Sequence, residues 1–440
     1  MFTELSWVTK STDKICPVLK DKIMQTYRHW KWVPRFLHKP LVALKHRLKK
    51  HKVIVQLNGD IYPQNLNIHD FLHRNLGCRV KHKLDLINGF STSVNIKTLK
   101  EILSQSSVSQ VSYDREVHTC LDVATPAVNA PPVWMNNIQG EGIGIAILDT
   151  GIYPHPDLTS PQNRIIAFKD FIKGRSKPYD DNGHGTHCAG DAVGNGFKSK
   201  GRYAGPAPKA NLIGIKALNR TGSGLVSTLL AGIQWCINNK DKYGIRVLSM
   251  SLGGPATQSS RNDPLCQAVR KAWKSGIVVC AAAGNDGPKA GTINSPGIEP
   301  KIITVGGLDD KGTIAVSDDT VAPFSSRGPT IDSLQKPDVV APGANIISLR
   351  DPKSYLDKTI PGSRVGRWYM SLSGTSMATP VCAGVAALIL NKSPSLTPDQ
   401  VKTLLIKTCR NISLDPNAGG AGLVDAKLAD GSTGLFHKMR

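Results

Sequence analysis

Long uncharged apolar runs are missing from this chain. No stretch approaches the roughly 18 residues that a membrane span requires. The first thirty residues, interrupted by Lys10, Asp13, Lys14, Lys20, Asp21 and Lys22, lack the continuous apolar core of a secretory signal. Paired cysteines are missing too: the nine, at 16, 78, 120, 188, 236, 266, 280, 382 and 409, are odd in number, evenly spread and without a C-x-x-C pair. That usage excludes a disulfide scaffold and fits a reduced compartment, so a cytoplasmic protein is expected. Repeats are absent, and the 41 glycines and 28 prolines are scattered, which excludes collagenous, coiled-coil and low-complexity classes.

Acidic residues are scarce. Asp and Glu number 33 against 55 Lys and Arg, giving a formal net charge of +22. Residues 1–60 hold 13 Lys/Arg against 4 Asp/Glu, a surplus of nine, so the basicity is concentrated at the front. With Trp30 and Trp32 upstream of the basic stretch 45–52, this segment reads either as a contact for nucleic acid or an anionic surface, or as a solvated cationic extension with no ligand. What remains is globular in composition: 40% hydrophobic residues over 440 positions can bury one large core or two unequal ones.

Hydrophobic patterning divides the chain into four parts. Residues 1–50 form a basic extension in which only 41–48 suggests a helical turn or two. Residues 51–119 read as strand (53–57), helix (67–76), strand (90–94), helix (96–103) and strand (108–113), a small α/β sandwich. Residues 120–133 are proline-rich and poor in charge, the signature of a linker or extended arm. From 134 to about 430, short continuous apolar runs at 143–148, 212–215, 247–250, 277–282 and 302–305 alternate with helical stretches, which predicts an α/β domain with a doubly wound parallel sheet and helices on both faces. A capping box, Thr397-Pro398-Asp399-Gln400, opens the last helix.

In such sheets, functional groups sit at the carboxyl ends of strands. Here that position carries Asp149-Thr150-Gly151, Ser251-Leu252-Gly253-Gly254 and Gly284-Asn285. Hydrolysing an amide with a serine needs a hydroxyl activated by neutral imidazole, a carboxylate that holds the imidazole's tautomer, and donors aimed at the developing oxyanion. Asp149 follows an apolar strand. His184 stands in Asp180-Asp181-Asn182-Gly183-His184-Gly185-Thr186-His187, between glycines that permit close backbone approach. Ser376 stands in Ser373-Gly374-Thr375-Ser376-Met377-Ala378-Thr379-Pro380, where a loop enters an apolar helix, and Asn285 offers a side-chain amide.

These motifs, in the order Asp, His, Ser, resemble the subtilisin family, for which that order is known. The resemblance runs from about 122 to 427 and includes Phe324-Ser325-Ser326-Arg327-Gly328-Pro329 and Lys336-Pro337-Asp338-Val339-Val340-Ala341-Pro342-Gly343. The chain is similar to the intracellular-type bacterial members. The resemblance implies a subtilisin-like fold and a serine endopeptidase of broad specificity acting on proteins and peptides. It assigns Ser376 as nucleophile, His184 as general base, Asp149 as its orienting carboxylate and Asn285, with the Ser376 amide, as oxyanion donor. Ser251, Leu252 and Gly253 would pair with extended substrate, and Ala282, Ala283 and Gly284 would help line the pocket for the residue before the cleaved bond. Residues 51–119, through Ile87-Asn88-Gly89-Phe90-Ser91, the 97–103 helix and Val108-Ser109-Gln110-Val111, resemble the family's propeptide. That likeness implies an inhibitor domain removed by self-cleavage between 113 and 130.

Other readings of the same residues are weaker. Gly140-x-Gly142-x-Gly144 precedes its strand, so a dinucleotide phosphate would meet no helix N-terminus. His184, His187 and Cys188 with Asp180 and Asp181 lack a second ligand pair at finger-like spacing, and no metal is assigned to them. Cys188 reads either as a thiol sensitive to heavy-metal reagents, as in some family members, or as a small buried hydrophobe. Calcium is common in the family, yet the loop 194–200 that corresponds to a frequent site has no carboxylate and two lysines. No cofactor is expected to be required. Residues 350–369 read as a basic surface loop ahead of the nucleophile motif, either a plain insertion or a segment near the substrate cleft. A non-catalytic interaction protein on the same fold would be expected to have lost one of the reactive groups, and none is missing here.

Overall fold

The structure is a computed structural model of the whole chain. It describes residues 14–15, 19–20, 23–24, 49–58, 80–84, 88–113, 121–412 and 415–427. The helical turns expected at 41–48, the helix expected at 67–76 and most of the basic segment 1–60 lie outside the described residues. The chain divides into two compact units, Met1–Val117 and His118–Arg440.

In the first unit, β1 (His51–Leu57), β2 (Val80–Leu84), β3 (Gly89–Val94) and β4 (Val108–Tyr113) form an antiparallel sheet in the order β2-β3-β1-β4. Helix α1 (Ile96–Ser104) starts where the Asn95 side chain accepts from the Thr98 N–H. It buries Ile96, Leu99, Ile102 and Leu103 in a core with Val53, Val55, Phe90 and Val111. Strand β2 was not legible in the sequence, because Lys81, His82 and Lys83 occupy its centre and leave no apolar run.

The second unit is built on an eight-stranded sheet. Strands β5 (Gly144–Asp149), β6 (Ile165–Asp170), β7 (Asn211–Lys216), β8 (Ile245–Met250), β9 (Val278–Ala282), β10 (Ile303–Asp309) and β11 (Thr320–Val321) lie in the order β11-β10-β9-β8-β5-β7-β6, and β12 (Val339–Pro342) pairs with β10. Every pairing is parallel except β10 with β11. All residues of β5 and β9 are buried, as the continuous apolar runs require when helices cover both faces. Strand β6 escaped notice because its residues are mostly half-exposed and its pattern mixed.

Residues 120–133, expected to be a linker or extended arm, are instead largely helical: α2 (Leu121–Ala127) and α3 (Ala130–Trp134). Burial of Ala124, Val128, Ala130 and Val133 in the main core outweighs the helix-breaking tendency of the prolines. Four longer helices clothe the sheet: α4 (His184–Val193), α5 (Val226–Asn238), α6 (Pro264–Lys274) and, after a short helix α7 (Tyr355–Thr359), α8 (Thr375–Lys392). Helix α8 packs on α4 and on β8, β9, β10 and β12, while α5 packs on α6 and β5. Helix α9 (Pro398–Thr408), followed only by a short helical turn at Pro416–Gly419 among the described residues, carries the expected capping box, Gln400 N–H donating to Thr397 Oγ1 at 3.3 Å and Thr397 N–H to Gln400 Oε1 at 2.8 Å. Strand β5 has β7 on one side and β8 on the other, so the chain reverses its direction of winding there. The crevice beyond the carboxyl end of β5 is therefore where this topology leaves room for a ligand.

Candidate active site

Asp149 is the last residue of β5 and faces that crevice, 1% exposed. One of its oxygens, Oδ1, accepts from the Thr150 N–H at 2.7 Å and lies 2.8 Å from His184 Nδ1. The other, Oδ2, is buried with no hydrogen-bond partner among the described residues. A buried carboxylate is tolerated when a strong partner faces it. Because the carboxylate accepts, Nδ1 carries the proton, which leaves Nε2 with a lone pair.

His184 is the first residue of α4, and the turn before it is tied down by Asp180. Asp180 Oδ1 accepts from the Asn182 and Gly183 N–H groups and from Thr150 Oγ1, and Oδ2 accepts from Thr186 N and Oγ1, all between 2.7 and 3.1 Å. Thr150 Oγ1 accepts in turn from the Gly185 N–H at 2.9 Å. The glycine after the histidine is required here: a Cβ on Gly185 would sit 2.3 Å from the Gly151 carbonyl and 3.1 Å from Asp149 Cβ. Burial alone would lower the His184 pKa. The adjacent Asp149 outweighs it and holds the imidazole well above its ordinary 6.5. Cys188, whose Sγ is 3.7 Å from His184 Nδ1, is fully buried, and burial pushes its thiol up to about 11. At neutral pH it is an uncharged thiol.

Ser376 is the second residue of α8, in the first turn, where backbone N–H groups have no intrahelical acceptor. Its Oγ donates to the Ser251 carbonyl at 3.1 Å, and Ser251 Oγ donates back to the Ser376 carbonyl at 2.7 Å. Cys188 Sγ donates to the same Ser376 carbonyl at 3.4 Å. These contacts seat the turn that carries Ser376 on Ser251, just past the end of β8, and on α4. In this rotamer the hydroxyl is taken up by the Ser251 carbonyl; contacts between a nucleophile and its base commonly tighten only when substrate is bound.

Asn285 follows β9 on an exposed loop. Its Oδ1 accepts from the Thr375 N–H at 2.9 Å and from Thr375 Oγ1 at 3.1 Å. A backbone N–H can only donate, so the amide orientation is fixed and the NH₂ group is left as a donor. Thr375, fully buried, was not singled out from the sequence, although it precedes the serine in every reading of the motif.

A cleft of about 870 Å³ opens beside these groups, lined by His184, Asn182, Ser251, Leu252, Gly253 and Leu356 among others. Ala282, Ala283 and Gly284 are buried and do not line it. The sequence reading also missed Lys216. This fully buried residue ends β7 opposite Asp149, and its Nζ donates to the Thr150 carbonyl, to Leu218 O at 3.1 Å and to Asp181 Oδ1 at 2.7 Å. A charge closing an apolar run was the available signal, since a buried lysine needs partners. His187, by contrast, is walled in: Nδ1 meets Asp191 Oδ2 at 2.9 Å and Nε2 meets the Ile346 and Met370 carbonyls at 3.2 Å.

Asp149, His184 and Cys188 also lie close enough together to hold a metal ion. Two of the three are accounted for by the imidazole–carboxylate pair, and the third is a neutral thiol. Beside the loop 194–200, the Asp157 carboxylate accepts from the Lys198 N–H at 2.9 Å and from Tyr369 Oη at 2.8 Å. A hard cation would have to displace both donors, so this arrangement does not fit calcium.

A buried carboxylate on an imidazole, a serine in a helix's first turn and a fixed amide donor, all at the switch point of a parallel sheet, are the fittings of a serine hydrolase. Residues 140–429 match the model of the subtilase family. Serine protease AprX of Bacillus subtilis (strain 168) is 47% identical over 436 residues, covering 97% of this chain and 98% of that protein. Subtilisin DY of Bacillus licheniformis is 38% identical over 69% of this chain and 96% of its own length, and M-protease of Shouchella clausii (strain KSM-K16) is 35% identical over 79% and 80%. The chain belongs to the subtilase family and is a serine endopeptidase, whose substrates are therefore proteins.

Proposed function

We propose that the chain cleaves peptide bonds with broad specificity through Ser376, His184 and Asp149. Ser376 Oγ attacks the scissile carbonyl as its proton passes to His184 Nε2. The oxyanion is held by Asn285 Nδ2 and the Ser376 N–H. The C–N bond then breaks as His184 returns the proton to the leaving amine, and water, activated by the same imidazole, releases the acyl group from Ser376. Asp149 keeps the imidazole in the required tautomer throughout. The observation that carries this reading is the 2.8 Å contact between buried Asp149 and His184. Ser251, Leu252 and Gly253 pair with extended substrate as an added strand, which reads backbone more than side chain, and Ala282, Ala283 and Gly284 back the pocket for the residue before the cut.

The test is hydrolysis of casein and of a chromogenic peptide with a large apolar residue before the cut. Activity is expected in the wild type and is expected to vanish in Ser376→Ala and under a serine-directed sulfonyl fluoride. Activity surviving either would refute the assignment.

The first unit serves as an inhibitory propeptide, and the enzyme processes itself. Strand β4 ends at Tyr113, and the core of the second unit takes up residues from Val123 onward. A cut in the front part of the 113–130 window would spare both. Intact mass should show that cut in the wild type and its loss in Ser376→Ala; an active, uncut protein would oppose it. The protease needs no cofactor, as the donors on Asp157 favour. A cytoplasmic setting is favoured by Cys188, Cys236, Cys266, Cys280, Cys382 and Cys409, all unpaired, and no helix among the described residues is long and apolar enough to cross a membrane. Residues 1–60 read first as a solvated cationic extension, with a contact for nucleic acid or an anionic surface as the alternative.

A further inference from the structure

The insertion 350–369 does not stand apart from the site. Helix α7 within it is clamped to the turn that carries His184: the Tyr355 N–H donates to the Asp181 carbonyl at 3.0 Å and the Leu356 N–H to the Asn182 carbonyl at 2.9 Å. Approach is close enough that Gly183, at φ +104°, could bear no side chain, since a Cβ there would lie 2.6 Å from Ser354 Oγ. The helix is braced from behind by Asp357, whose Oδ1 takes Arg350 Nε at 2.5 Å and Arg364 Nε at 2.7 Å. On its other flank the Arg220 guanidinium sits 5.8 Å from the centre of the Tyr355 ring, and the Arg220 carbonyl accepts from Asn182 Nδ2 at 2.8 Å. So held, the half-buried Leu356 side chain lines the cleft together with His184, Asn182 and Leu218.

An extended substrate laid along 251–253 sends successive side chains to opposite faces. On the reading of the active site given above, on which this step rests, the residue before the scissile bond points to the pocket backed by 282–284. The residue before that one therefore points the other way, toward His184 and Leu356. We propose that Leu356, carried by the 350–369 insertion and clamped to the histidine turn, shapes the subsite for the residue two before the cut and selects an apolar side chain there. The otherwise broad enzyme thereby acquires one side-chain preference that its substrate-pairing strand does not supply.

The experiment compares two chromogenic peptides that differ only at that position, leucine against asparagine, with wild type, Leu356→Ser and Leu356→Met. Wild type is expected to favour leucine by about tenfold in kcat/KM, the discrimination an apolar contact of this size gives. Leu356→Ser should bring that ratio to near one, and Leu356→Met should restore most of it. A wild-type ratio near one overturns the proposal whether or not the variants fold. So does a fall that is equal for both peptides in Leu356→Ser, because that is the signature of a clamp on the histidine turn and not of a subsite. Wild-type inactivity on both peptides, or activity persisting in Ser376→Ala, would refute the active-site reading itself and the proposal with it.

Discussion

Replacing Thr375 by valine tests whether Asn285, the proposed oxyanion donor, is held in place by its neighbour. Valine keeps the shape of threonine but deletes the Oγ1 that donates to Asn285 Oδ1 at 3.1 Å and accepts from the Gly284 N–H at 3.3 Å. Asn285 retains its second tether, the Thr375 N–H at 2.9 Å, so its amide is loosened and not released. Losing one neutral hydrogen bond costs ~0.5–1.5 kcal/mol, which at the transition state is roughly a two- to tenfold fall in kcat. Asn285→Ala, which removes the donor itself, should cost about 10² to 10³ in kcat with little change in KM. The double variant is the informative one. If Thr375 acts only through Asn285, it should be no slower than Asn285→Ala alone, a coupling equal to the whole Thr375 effect. Stability moves separately: the buried Gly284 N–H is left without its acceptor, at ~1–3 kcal/mol, seen as a melting temperature lower by about 2–6 °C. Steady-state kinetics on one peptide and thermal unfolding of the four proteins suffice. Multiplicative losses in the double variant would show that Thr375 acts independently of the amide, and the positioning argument would fail.

In the proposed mechanism His184 acts as a neutral imidazole, and because Asp149 holds its pKa above 6.5, activity should be lost as pH falls through a midpoint above that value. A kcat/KM profile with its acid limb at or below pH 6 would contradict the pairing. Lys216→Met would remove the ammonium that donates to the Thr150 and Leu218 carbonyls, leaving Asp181 with Lys173 at 2.9 Å. Denaturant unfolding should record a loss of ~1–3 kcal/mol, the cost of leaving buried carbonyls without their donor, and a loss below about 0.5 kcal/mol would make the buried cation dispensable. Chelation with EDTA should leave both melting temperature and turnover unchanged, since Asp157 is occupied by protein donors. A drop of more than about 5 °C would reveal a metal elsewhere in the protein.

Much of this protein was legible without coordinates because its chemistry sits in short, contiguous stretches. Apolar runs such as 143–148 must be buried on both faces, and a polar residue at the end of such a run marks a strand's carboxyl edge; Asp149 was placed on that basis. Glycines beside His184 and the loop-to-helix transition at Ser376 reveal themselves locally for the same reason. What the sequence hid is whatever depends on partners distant along the chain. Lys216 and Asp181, 35 residues apart, meet because the segment between β6 and α4 bridges back to Gly151, just past the end of β5 and beside the end of β7, and Thr375 reaches Asn285 across 90 residues. Proline content suggested an arm at 120–133, where core burial makes helices, and three basic residues concealed β2 within a sheet. The insertion 350–369 read as a basic surface loop because its charges are plain in one dimension. Only the folded chain turns Arg350 and Arg364 inward onto Asp357 and sets Leu356 beside His184. Residue type and local spacing determine which chemistry is available, while the packing of remote segments, which no local pattern encodes, decides which side chains surround it.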